Sequence, residues 1–247
     1  MTTKSDSSHA KNLANLVLLN GINAGRGEAY NPANNLIKLP AMQELASIAT
    51  ETQAVYEATI PAFGAAKAER VIAFKPLSGL VSKAMYFLKS SGASEEMYNQ
   101  ARTLARLIKG QRASAKIKPE PPKEGEEPVP GPKQISASHM GFDNRISNYG
   151  KFIQLLTGIP EYNPNEDELK IEALSEVLDN LMAKNNAYML AEVPHTNTRL
   201  ARNEVFYTSI TGLCAVGQAS KDYVKAVYGV RSPQFKQISK IQFKKYK

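Results

Sequence analysis

The sequence predicts an all-α protein: an internal duplication of two four-helix-bundle-like repeats joined by a proline-rich linker. Three observations carry that prediction. Tyr30-Asn31-Pro32 returns as Tyr162-Asn163-Pro164, 132 residues on, and the match continues through Lys38/Lys170, Ala41/Ala173, Glu44/Glu176 and Tyr56/Tyr188. Ile37/Leu169, Leu39/Ile171, Met42/Leu174 and Leu45/Val177 keep apolar character at the same separation. Apolar residues also step by three and four, as in Ile171, Leu174, Leu178 and Leu181 with Val177 and Met182 beside them, which is the buried stripe of a bundle helix. Finally, Lys118 to Pro132 is crowded with prolines and glutamates that suit neither helix nor sheet, so it reads as an extended linker rather than a ligand for a proline-recognising domain. The expected organisation is repeat 1 over 1–117, linker over 118–133 and repeat 2 over 134–247.

Composition is compatible with a packed fold. Of 247 residues, 43% are hydrophobic and 22% charged, the usage of an ordinary globular chain. The single cysteine, Cys214, excludes an intrachain disulfide and a cysteine-based zinc site; aligned with Val81 in an apolar stretch, it reads as a core thiol. Met1 to Asn12 is polar and the run Leu13 to Leu19 is short and broken by Asn15, so neither a signal peptide nor a membrane span is read there. A cytoplasmic protein without a membrane partner is expected.

Each repeat should open with a helix, the first ending at Asn20-Gly21-Ile22 and the second, from about Ile135, at Thr157-Gly158-Ile159, with glycine taking the left-handed stop. Ser8-His9 and Ser138-His139 mark matching starts. The glycines between Gly21 and Gly27 fit no phosphate-loop spacing, and the equivalent connector is only Ile159-Pro160-Glu161. Next, Asn163 as N-cap and Pro164 as first helical residue should start the long second helix, with Glu166, Asp167 and Glu168 suiting its positive end. Pro40 predicts a kink or late start in the first copy, and Pro61 and Pro194 predict breaks. Gly79 and Gly212 suggest close helix approach. Ser94 should cap a helix running to Gly110, and Ala219-Ser220-Lys221-Asp222 should open its counterpart, ending near Gly229.

Catalytic patterns dissolve. Glu192-Val193-Pro194-His195 has the Glu-x-x-His spacing of carboxylate-bridged metal bundles, but Pro194 should break its helix and the aligned residues are Ile60 and Phe63. His139 and Asp143 are only two ligands, and no nucleophile context is recognisable. No catalytic, cofactor or metal residue is therefore assigned, and an enzyme is not the expectation. A small-molecule enzyme or carrier stays as a third reading, because a bundle interior can hold a ligand without a motif.

Gly141-Phe142-Asp143-Asn144-Arg145 and Phe235-Lys236-Gln237-Ile238-Ser239-Lys240-Ile241 resemble segments of uncharacterised helical proteins in Bacteroidetes genomes. The resemblance covers mainly the second repeat, implies an all-helical fold and brings no activity.

Function is then read from charge. Nine basic residues between 70 and 116 oppose only Glu95 and Glu96, and eight between 221 and 247 oppose only Asp222. Arg102, Arg106 and Lys109 share a helix face with Tyr98 a turn earlier, and Arg112, Lys236 and Lys240 extend the set. Such charge is most simply a solvated face, or a partner for the acidic stretch from Asp143 to Glu192. The first expectation is thus a non-enzymatic scaffold with duplicated surfaces for a protein partner. The alternative is sequence-independent nucleic-acid or polyanion binding through those six cations.

Overall fold

The structure, a computed structural model, describes residues 6–111 and 140–244. Arg112, His139, the expected linker and the expected helix start at Ile135 lie outside these residues. Every regular element among the described residues is helical: α1 (Asp6–Ala24), α2 (Leu39–Phe74), α3 (Leu77–Ser90), α4 (Glu95–Lys109), α5 (Phe142–Thr157), α6 (Ile171–Tyr207), α7 (Leu213–Tyr228) and α8 (Pro233–Ser239), with short 3-10 turns at Gly27–Ala29, Asn35–Ile37 and Asp167–Leu169.

These helices group into two compact units that are not the two halves of the chain. One comprises Met1–Gly64 with Ala191–Lys247, the other Ala65–Leu190. Each therefore draws on both sides of the expected linker. In the first unit, Leu16, Leu19, Ile37 and Met42 share a core with Phe206, Leu213, Val224 and Ile238. In the second, Phe74, Leu77, Val81, Leu88 and Ile108 share a core with Phe152, Leu156, Leu174 and Leu181. Burying one such side chain contributes roughly 1.5–3 kcal/mol. Met182, expected in the α6 stripe, is instead exposed.

The tyrosine-led triplet works differently from its expected role as a helix start. Asn163 does not cap the long helix, which begins eight residues later at Ile171. Tyr162 instead donates its hydroxyl to the Leu169 carbonyl at 3.0 Å, as Tyr30 does to Ile37 at 2.7 Å, folding the intervening segment back on itself. Asn34 caps only the 3-10 turn, accepting from the Leu36 N–H at 3.0 Å. Pro40 causes no late start: α2 opens at Leu39, and a proline in the first turn removes an N–H that has no intrahelical partner.

Prolines 61 and 194 do not break their helices. A mid-helix proline frees the carbonyl four residues earlier, here those of Glu57 and Leu190. Both residues are exposed, so water can satisfy the freed groups. Gly21 lies inside α1, while Gly158 caps α5 with a right-handed φ of −81°, so neither is the expected left-handed stop. The stretch 219–222 is interior to α7 and does not open a helix; Ser220 is buried there and hydrogen-bonded to Tyr30 and Asn23, at 2.9 and 3.0 Å. Ser94 and Gly110 do bound α4: Ser94 accepts from the Met97 N–H at 3.3 Å, and Gly110 is left-handed at φ +70°. By length and apolar composition the run 39–90 could cross a membrane, yet Met42, Ala49, Leu77, Val81 and Leu88 within it are buried in the protein's own cores.

Two buried tyrosines give opposite expectations. Burial pushes the Tyr149 hydroxyl well above its usual range and Tyr162 up to about 12, but only Tyr162 has a hydrogen-bond acceptor; the Tyr149 hydroxyl is buried without a partner. An unmet buried polar group costs about 1–3 kcal/mol, whereas a satisfied one contributes about 1 kcal/mol. Tyr149→Phe is therefore expected to hold or raise the midpoint of urea unfolding, and Tyr162→Phe to lower it.

Candidate polyanion-binding cleft

The site is built by α3 and α4, both in the second unit. Ala101, Ala105 and Ile108 form the buried face of α4, and the two alanines leave room for a close neighbour. On α3, Leu77, Val81, Ala84, Met85 and Leu88 are buried. These two inward faces fix the rotation of each helix. As a result Arg102, Arg106 and Lys109 come together with Tyr98, Ser82, Met85 and Tyr86 around a cleft of about 310 Å3.

The electrostatics are one-sided. Among the described residues, no carboxylate lines the cleft and no ion pair engages Arg102, Arg106 or Lys109. Glu95 and Glu96 stand in the first turn of α4, at the opposite end of the helix from Arg106 and Lys109. The Arg106 Nε is buried and has no hydrogen-bond partner among the described residues. Part of this charge has a structural use, since cations in a last turn complement the helix dipole. Arg102, two turns before the end, and the unpartnered Arg106 Nε are not accounted for by that effect.

The α4 residues that line this cleft are among those the sequence singles out, whereas the α3 residues are not. Tyr86 is 75% exposed, and its position midway between Lys83 and Lys89 in a basic run was the available signal. Lys236 and Lys240 are exposed at α8 and its C-cap, which belong to the other unit, and they are not among the residues that line this cleft.

The remaining candidates acquire structural explanations. Because α6 runs through Pro194, Glu192 and His195 share one helix, contrary to the expected break. His195 has its ring stacked on Phe63, with centroids 4.3 Å apart, and its Nδ1 lies 3.1 Å from the Thr59 hydroxyl. Asp143 accepts from Asn185 at 2.7 Å, and Asn185 in turn accepts from Arg70 at 3.2 Å. No group of three or more metal-ligating side chains occurs among the described residues. Gly79, expected at a close helix contact, has no neighbour there and lines a second cleft of about 660 Å3 with Leu80 and Val177, at whose rim Lys83 pairs with Glu168 at 2.7 Å. Gly212 is needed for a turn instead: a Cβ there would lie 2.6 Å from the Thr208 backbone.

Fold and cleft together define an all-helical protein with a cationic, tyrosine-walled cleft. No protein-family model, curated protein or solved structure matches the chain.

Proposed function

We propose that this chain is a non-enzymatic binding protein whose α3–α4 cleft takes polyanions, with nucleic acid the foremost ligand. The observation that carries this reading is the convergence of Arg102, Arg106 and Lys109 on a cleft with two tyrosines and, among the described residues, no acid. Three phosphate contacts to a single strand imply that log K falls with log salt at a slope of about −2. In a fluorescence-anisotropy titration, the triple charge reversal Arg102→Glu, Arg106→Glu, Lys109→Glu is expected to abolish binding and flatten that slope. Absence of binding by the unaltered protein at low salt, or binding untouched by the reversal, would overturn the proposal.

A scaffold that engages a protein partner remains the second reading, favoured by the exposed apolar residues of the long helices. Val55, Ile60 and Ile72 on α2, and Leu190, Val193 and Leu200 on α6, all face water. We further propose that the chain is an internal duplication in which α1–α4 answer α5–α8. Support comes from the two tyrosine-to-carbonyl bonds at a separation of 132 and from the long helices that open at Leu39 and Ile171. Arg70 over the Tyr188 ring, at 3.3 Å, likewise answers Arg202 over Tyr56, at 4.0 Å, with the contributing repeats exchanged. Both arginines gain from a cation held over an aromatic face.

A further inference from the structure

The cations of the cleft would serve any polyanion; its rings are more selective. Met85 is buried, which fixes how α3 is turned and leaves the adjacent Tyr86 projecting at the cleft with three quarters of its surface in water. Tyr98, across on α4, packs its ring partly against the core and has less free face. A ring left in water beside a row of cations is the pairing that single-stranded nucleic-acid sites use, because every base offers a face to stack while its phosphate meets the charge. The cation row is short, about 10 Å along α4 at 1.5 Å per residue. At about 310 Å3 the cleft is at the lower end of the roughly 300–1,000 Å3 typical of small-ligand sites, room for a nucleotide unit.

We propose that the α3–α4 cleft is a single-stranded nucleic-acid site in which Tyr86 stacks on a base while Arg102, Arg106 and Lys109 hold the adjoining phosphates. This rests on the polyanion reading and adds the class of ligand and a residue that selects it. The test uses the full chain and three probes at one low salt concentration: labelled oligothymidylate, a duplex of equal length, and inorganic polyphosphate as competitor, with oligouridylate alongside to tell RNA from DNA as the source. Oligothymidylate or oligouridylate is expected to bind more tightly than the duplex. Tyr86→Ala should weaken that binding about tenfold, the scale of one lost stacked base, and leave polyphosphate competition with the charge cluster unchanged. Tyr86→Phe, which keeps the ring, should retain the affinity. Equal affinity for single strand and duplex, or no loss in Tyr86→Ala, would overturn the stacking inference and leave polyanion binding standing. If no probe binds at low salt, the polyanion reading falls as well.

Discussion

Residues 1–117 and 134–247, expressed separately, are each expected to lack a cooperative melting transition, and mixing the two fragments is expected to restore one. Neither fragment can complete a core. The first unit needs Leu16, Leu19 and Met42 from one fragment against Phe206, Leu213 and Val224 from the other. The second needs Phe74, Val81 and Ile108 against Tyr149, Phe152 and Leu174. A helix whose apolar face has nothing to meet keeps only its weak local propensity, and isolated short helices are marginal in water. Circular dichroism on heating, for each fragment and for the equimolar mixture, checks this. Two fragments that each melt cooperatively as monomers would show that the halves are self-sufficient.

Phe206→Ala is expected to destabilise the protein by about 3–5 kcal/mol, the usual cost of emptying a buried aromatic site. Phe206 is fully buried in the first unit, with His9 packed edge-on at 5.5 Å and Tyr207 at 5.9 Å. Phe74, 132 residues earlier, is its counterpart in the second unit, held edge-on to Phe142 at 4.8 Å and accepting a hydrogen bond at its carbonyl from Arg145. Phe74→Ala should therefore cost a similar amount. Urea unfolding of both variants checks the pair; a loss below about 1 kcal/mol in either would show that its site is not a core site.

Another contribution to the first unit was not legible in the sequence. Asn12 grips the backbone of Lys244 through both ends of its amide, at 2.8 and 2.9 Å, and Asn15 donates to the Gln242 carbonyl at 2.8 Å. Phe243 lies on Gly217, where a Cβ would sit 2.3 Å from the ring. Lys221, one of the eight basic residues that made the C-terminal end read as basic, is largely buried and donates to the carbonyls of Ser239 and Ile241. Burial lowers its pKa. A lysine counted as part of a basic surface is thus spent on capping α8.

What the sequence by itself determined is what depends on neighbours within a turn or two. Helical periodicity, the Ser94 cap and the left-handed Gly110 follow from contacts three and four residues apart, and so does the shared face of Arg102, Arg106 and Lys109. The tertiary structure alone decided which stripe each helix faces. An apolar stripe states that it must be covered, not by what, so a match along the chain suggested two self-contained halves whereas the cores mix them. The same distinction explains the prolines, which are tolerated because the carbonyls they free belong to exposed residues. It explains the cleft too: Tyr86 meets the α4 cations across a helix pair, at a separation in sequence that no helical period links.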